Sequence, residues 1–336
     1  MSKVSICIPT YNGEHYLEET LNAVLNQSYT NFEVIIVDDQ SSDNTLEIVK
    51  SFSEKDNRIN VFQNDKNLGL VGNWNKCIEL AKGDWIKFVF QDDIIHPNCL
   101  ELLMNSTNDN SKFIVCWRNF IFESDTDTKT KEVYESFISL QDVFDSSNNI
   151  DKQHFAKTVL SYSSNFIGEP TSTLIHKSIF LEYGLFNPLF NQLCDLEYWI
   201  RVGLNEGVTV VPEYLVDFRV HTQATSFMNS NQKLFRADEL DPLLLLHEFT
   251  YNPYFSILHE THTIFGNKRN LKKEFAKKAH WVKNRARELQ KLEINNNELL
   301  SWNELANVYP KLENSIHIMP LKLKGWIKKN FWWFYQ

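Results

Sequence analysis

The chain opens with short, dense apolar runs separated by longer stretches of helical spacing. Residues 4–10 (VSICIPT), 32–39 (FEVIIVDD), 59–64 (INVFQN) and 84–91 (DWIKFVFQ) are rich in Val, Ile and Phe, which predicts four strands. Between the first two, Tyr16, Leu17, Leu21, Val24 and Leu25 form a helical stripe. A second helix begins with Ser/Asp capping chemistry at Ser42 and runs to Phe52; a third, Gly72 to Lys82, stops before Gly83. Strands alternating with helices of this length imply βαβ units with right-handed crossovers. Their nearly unbroken apolar character suits a mostly parallel sheet covered on both faces, so the fold class is α/β.

Further along, the pattern changes twice. Residues 118–152 are polar, rich in Asp, Thr, Ser and Asn, and read as an irregular, variable insertion. Order resumes with a short helix near 152–162, a strand at TSTLIH, a helix at CDLEYWIRVGLNEG and a strand at VTVVPEYLVDFRV. From about 232 to 310 the spacing is helical with long charged faces. The expected organisation is an α/β domain over 1–228, divided into 1–117, the insertion 118–152 and 153–228, followed by a helical C-terminal region over 229–336.

Composition narrows the class. A hydrophobic content of 43% and a charged content of 23% belong to a globular chain rather than a disordered one. No run approaches the about 18 consecutive apolar residues of a transmembrane helix, and the start, MSKVSICIPTYN, lacks the pattern of a signal peptide. The cysteines at 7, 77, 99, 116 and 194 form no CxxC pair, which argues against a disulfide framework or structural zinc and fits a reducing cytoplasm. The net charge of −9 hides an asymmetry: from Gly266 onward 15 basic and 6 acidic residues give +9, leaving −18 for residues 1–265. The end, PLKLKGWIKKNFWWFYQ, interleaves four lysines with apolar and aromatic residues. Such a segment either rests on the inner membrane face or packs on the main domain.

Ligands of open α/β sheets bind beyond the carboxyl ends of the strands. Those ends carry Pro9-Thr10-Tyr11-Asn12, Asp38-Asp39, Lys66-Asn67-Leu68-Gly69 and Gln91-Asp92-Asp93, all expected at one edge. Neither a GxGxxG nor a GxxxxGK[ST] phosphate cradle occurs. Acidic strand ends suit a hard divalent cation that leaves positions open for phosphate oxygens. Asp92-Asp93 therefore meets Mg²⁺ or Mn²⁺ carrying a nucleotide diphosphate, or else Asp92 caps the helix near Pro97 with Asp93 solvated.

The ordered set PTYN, VDDQSSDNT, NLG and GDWIKFVFQDD resembles the nucleotide-sugar half of the family 2 glycosyltransferases, of bacterial surface-polysaccharide type, which have the GT-A fold. The resemblance covers residues 3 to about 225. It implies that Pro9, Thr10, Tyr11 and Asp39 hold the nucleoside, that Asp92 lies near the ribose and that Asp93 binds the metal. Gln91 stands where many members have an aspartate. Lys66 falls near a basic position of the family; a solvated loop lysine is the other reading. Downstream, GEPTSTLIHKSIFLEYGLFNPLFNQLCDLEYWIRV resembles the acceptor-side segment, with Cys194-Asp195 in place of the usual Glu-Asp. This assigns Asp195 as general base, with Glu197 as alternative although it points about 200° away on a helix. His221, in DFRVHTQATS, resembles the element that closes the site on diphosphate or metal.

The implied activity is inverting transfer of a sugar from a nucleotide-diphosphate sugar, a UDP-sugar above all, to a hydroxyl of a glycan or lipid-linked glycan. It would be assisted by Mn²⁺ or Mg²⁺ and set in polysaccharide or lipopolysaccharide assembly. A glycoside hydrolase has no use for a nucleotide edge spread over four strands. A nucleotidyltransferase usually carries a Gly-rich basic loop after strand one, which PTYNGEHY is not. A non-catalytic nucleotide- or carbohydrate-binding protein does not need Asp39, Asp93 and Asp195 together, and the acidic body argues against nucleic acid.

Overall fold

The computed structural model describes residues 2–108, 110–124, 126–144, 149–162, 164–224, 235–259, 270–291 and 297–314. Strands β1 (Val4–Thr10), β2 (Phe32–Asp38), β3 (Ile59–Gln63) and β4 (Trp85–Phe88) alternate with helices α1 (Leu17–Leu25), α2 (Thr45–Ser53) and α3 (Gly69–Leu80). They pair in parallel in the order β3-β2-β1-β4. There follow β5 (Ile94–Ile95), α4 (Cys99–Asn105), β6 (Phe113–Phe122), α5 (Thr128–Glu135), α6 (Leu140–Val143), β7 (Asn149–Ile150) and α7 (Lys152–Tyr162). After a tight turn at Pro170–Ser172 come β8 (Thr173–His176), α8 (Lys177–Tyr183), α9 (Cys194–Glu206) and β9 (Val208–Val220). The whole is a nine-stranded mixed sheet, β3-β2-β1-β4-β8-β6-β9-β5, with β7 beside β9; β8 runs antiparallel to β4 and β6.

Both faces of the sheet are covered, as the unbroken apolar strands require. Val34 and Ile36 of β2, Ile114 and Cys116 of β6 and Leu174 of β8 lie with α1, α2 and α4 in one buried cluster. Ile35, Val37, Phe113, Val115 and Ile175 lie in the other with α3, α7 and α9. The alternation is the two-residue period of a strand, expressed on two apolar faces at once.

The stretch read as an irregular insertion holds α5, α6 and β7 and begins in a strand. Arg118–Phe122 continue β6 alongside the second half of β9, beyond two register shifts, one between Cys116 and Trp117 with Pro212 and Glu213 as the extra residues and one between Trp117 and Arg118 with Leu215 extra. Such bulges accommodate a proline that cannot donate to the ladder. Average polarity hid the strand because the short apolar run Phe120-Ile121-Phe122 is flanked by Arg118-Asn119 and Glu123-Ser124; the phenylalanine rings cluster with Tyr134 of α5 and Phe218 of β9.

The C-terminal helices are α10 (Asp241–Tyr251), entered through a π-turn at Arg236–Leu240, then α11 (Leu271–Lys291), α12 (Asn297–Val308) and α13 (Lys311–Asn314). Charged faces were expected throughout this region. In α10, Leu243, Leu244, Leu245 and Leu246 are instead all buried, in the same cluster as Tyr198 and Trp199 of α9. The basic-aromatic end lies outside the described residues.

Candidate active site

At the carboxyl edge, Thr10 stands opposite Asp38 in the β1–β2 register, and Asp39 N–H donates to Thr10 O at 2.9 Å. The turns that follow carry the two non-glycine residues with left-handed backbones among those described, Asn12 at φ 47° and Gln40 at φ 64°. Asn tolerates that conformation; Gln adopts it less readily. Asp38 is fully buried and turns inward, accepting from Ser41 N at 3.1 Å, Ser41 Oγ at 2.5 Å and Gln63 Nε2 at 3.2 Å.

Asp39 is nearly as buried but faces the start of α3. Its Oδ1 accepts from Asn64 Nδ2 at 2.7 Å and Leu68 N at 2.8 Å, and its Oδ2 from Gly69 N at 2.9 Å. An anion at a helix N-terminus is favoured by the dipole and the unpaired N–H groups there. Beneath it, Asn64 donates to Asn73 Oδ1 at 3.0 Å, and Asn73 Nδ2 ties back to Val37 O at 3.0 Å. Asn64 and Asn73 carried no motif in the sequence, so their part in this network was not legible there.

Pro9 lies buried within β1 opposite Val37, whereas Tyr11 exposes 51% of its surface. Gln91 grips the Tyr11 backbone from both sides: Tyr11 N donates to Oε1 at 2.9 Å, and Nε2 donates to Tyr11 O at 3.1 Å. An aspartate could make only the first bond, because a carboxylate donates nothing. Gly13 keeps this bridge open, since a Cβ there would stand 2.3 Å from Gln91 Oε1. Lys66 sits exposed in the loop after β3.

The two neighbouring aspartates part company. Asp93 is wholly buried; its Oδ2 accepts from Thr171 Oγ1 at 2.5 Å and its Oδ1 from Arg219 N at 3.2 Å. Burial, then the charge of Asp92, pushes its carboxyl well above the ordinary range. Asp92 keeps an accessible side chain, and its Oδ2 lies 3.0 Å from Nε2 of His221, just past β9. Arg219 braces the loop: Nε donates to Asp92 O at 2.9 Å, Nη1 pairs with Glu123 at 2.5 Å and Nη2 with Glu19 at 2.6 Å. Tyr16 lies against both side chains, its ring centre 4.6 Å from the Arg219 guanidinium and 4.9 Å from the imidazole, to which it is tilted by 58°.

Asp93, the expected metal ligand, is wholly buried, with one hydrogen bond to each oxygen. Asp92 keeps 20% of its side chain exposed, beside the imidazole of His221. Among the described residues no cluster of three His, Cys, Asp or Glu groups surrounds one point. One carboxylate and one imidazole fit a Mn²⁺ or Mg²⁺ ion that takes its remaining ligands from a diphosphate and water.

On the acceptor side, Asp195 lies in the first turn of α9. Its Oδ1 accepts from Leu196 N at 2.7 Å and its Oδ2 from Asn165 Nδ2 at 2.9 Å. Burial pushes its carboxyl up to about 7, the Leu196 N–H opposes that and the nearby Glu169 charge adds to it. Glu197 points elsewhere: it is buried against Arg201, Nη2 to Oε2 at 2.8 Å, within the core. The helical geometry that separated the two in the sequence thus leaves Asp195 as the carboxylate facing the Asn165–Gly168 loop.

A family model for glycosyl transferase family 2 matches residues 5–184. An uncharacterized protein of Mycobacterium tuberculosis is 32% identical over 229 residues, 66% of this chain and 68% of that protein. Among solved structures, S. aureus TarS 1–349 in complex with UDP-GlcNAc superposes with a TM-score of 0.58 at 17% identity, over 83% of this chain and 80% of that one. Mannosyltransferase PcManGT from Pyrobaculum calidifontis, in complex with GDP-Man and Mn²⁺, does so with 0.54 at 14% identity, over 94% and 83%. The likeness in fold is that of the GT-A glycosyltransferases. By the extent of the family match and the identity to its relatives, this chain is an enzyme that belongs to glycosyltransferase family 2.

Proposed function

We propose that the chain moves a sugar from a UDP-sugar to a hydroxyl of a glycan or lipid-linked glycan, with inversion, in the assembly of a bacterial surface polysaccharide. The observation that carries this reading is Asp195: a carboxylate pushed up to about 7, one oxygen of which is held by Asn165, in the acceptor half of the same molecule. A group with that proton affinity suits general base work near neutral pH.

Uracil is favoured by the loading of Asp39. An ionised carboxylate offers about four acceptor positions. Three are taken by Asn64, Leu68 and Gly69, leaving one on Oδ2. One position matches the single imino N–H of uracil, whereas guanine presents two adjacent donors. Thr10 and Pro9 shape the strand end beneath the nucleoside, and the exposed Tyr11 ring offers it a face. Lys66, exposed in the next loop, is free to approach the phosphates.

Asp92 and His221 would hold Mn²⁺ or Mg²⁺, and Asp93 would support Asp92 from below. The bound ion would supply positive charge against the departing diphosphate. Asp195 accepts the acceptor hydroxyl's proton as that oxygen bonds to the anomeric carbon and the bond from that carbon to UDP breaks. Among the described residues no helix is long and apolar enough to cross a membrane. We place the enzyme in the cytoplasm, where its five free, buried cysteines stay reduced, with peripheral contact at the inner membrane face through the basic-aromatic end.

A thermal-shift screen of UDP, GDP, dTDP and CMP, each with and without Mn²⁺, tests the donor assignment, since a ligand of the folded state raises Tm. UDP with Mn²⁺ should give the largest rise. A larger rise with GDP, or none with any nucleotide, would overturn it.

A further inference from the structure

The loop between α7 and the Pro170–Ser172 turn is fastened to the start of α9 at two points. Asn165 Nδ2 holds Asp195 Oδ2 at 2.9 Å while its Oδ1 accepts from Gly168 N at 3.1 Å. Trp199, one turn further along α9, donates Nε1 to Gly168 O at 2.8 Å. Gly168 has φ +93°, and the guanidinium of Arg118 occupies the place a Cβ would take, so backbone and space both require glycine. Glu169 follows at once. Its Oε2 lies 2.5 Å from Arg118 Nε, with side-chain exposures of 20% and 6%.

That pairing is incomplete. Arg118 Nε and Glu169 Oε2 are both buried, and neither has a partner in hydrogen-bonding geometry. A buried ion pair short of its hydrogen bonds recovers less of the cost of taking both charges out of water. The other titratable and charged groups facing this corner are Cys194, beside Asp195 on α9; Asp241, at the start of α10, with Arg236 behind it; and Asp93, which also feels Glu169. Of these, Glu169 is the charge that adds to burial in raising the Asp195 carboxyl.

We propose that Glu169 and Arg118 are a positioning pair for Asp195: Arg118 braces the Gly168 turn, the clamped loop fixes which carboxylate oxygen faces the acceptor, and the paired charges act on that carboxylate through the same loop. This rests on reading Asp195 as the base. The two come from separate stretches, Glu169 from GEPTS and Arg118 from β6.

The test follows Asp195 itself, by infrared titration of its protonated-carboxyl band in the full chain, with Asp195→Asn supplying the assignment. Glu169→Gln should lower the midpoint by about one pH unit and Arg118→Gln should raise it by a similar step. Glu169→Asp should restore a value near that of the parent, which a merely structural role does not require. A midpoint that stays put in a folded Glu169→Gln protein overturns the pair. Should Arg118→Gln fail to fold, Arg118→Lys keeps the charge, and Glu169→Gln alone decides. An absence of nucleotide binding by the parent protein would sink the proposed function instead, leaving this titration intact.

Discussion

Asp39 and Asp195 are both enclosed carboxylates at helix starts, yet their surroundings fit opposite tasks. Asp39 receives three N–H donors, from Asn64, Leu68 and Gly69, and is locked between β2 and α3. Asp195 receives two, and burial, with the charge of Glu169 adding to it, pushes its carboxyl up to about 7. A carboxylate saturated with donors is a rigid acceptor that fits recognition; one left short of donors and near like charge fits proton transfer. Number and kind of partners differ between the two.

The largest effect should come from breaking the second member. Asp195→Asn should cost roughly 10²–10⁴-fold in transfer, measured as UDP release in the presence of acceptor, with UDP affinity unchanged. Weakened UDP binding in that protein would count against the assignment. The same substitution should stabilise the fold at high pH. A carboxyl raised from 3.8 to about 7 contributes stability that is complete below 3.8 and is lost as pH rises through about 7. The amide escapes that loss, so denaturation at pH 8 should find Asp195→Asn more stable by roughly 2–4 kcal/mol, a gap that closes toward pH 4.

Asp39→Ala attacks the first member. It leaves the Leu68 and Gly69 N–H groups and the Asn64 amide without their acceptor, costing roughly 1.5–3 kcal/mol in stability by denaturant titration and at least about tenfold in UDP affinity by calorimetry. Retained UDP affinity would show that the base sits elsewhere. The comparison sharpens further at the metal. Asp92→Asn should remove the gain in UDP affinity conferred by Mn²⁺ with Tm almost unmoved, whereas a Tm loss with Mn²⁺ dependence retained would return the ligand role to Asp93. The smallest effect concerns pH. The parent's transfer rate should fall about tenfold per unit below pH 7, as Asp195 takes its proton before the acceptor arrives.

Much of the fold was legible from local pattern. The four parallel strands are short apolar runs ended by polar clusters, and each expected boundary lies within a few residues of the observed one. Less legible were features depending on what packs against what. Asp93 and Asp92 differ by nothing in the sequence that marks one as buried. The difference arises from Thr171 and Arg219, 78 and 126 positions away, and from His221 at 129. Glu169 stood in a quoted motif without a role, and Arg118 lay in a stretch whose mean polarity concealed a strand. The leucines of α10 stood in a region read only as helical with long charged faces, and the structure buries all four in the cluster that also holds α9 residues.

By itself the sequence determined an α/β sheet with acidic strand ends at one edge, a base candidate at the head of a helix, and the separation of Asp195 from Glu197. Those follow from periodicity and turn chemistry, which act over a few residues. Only the tertiary structure decided which aspartate of the pair keeps an open face, which nitrogen stands beside it, and which charge leans on the base. Each of those depends on desolvation and on partners brought together from distant parts of the chain, and no short-range pattern encodes either.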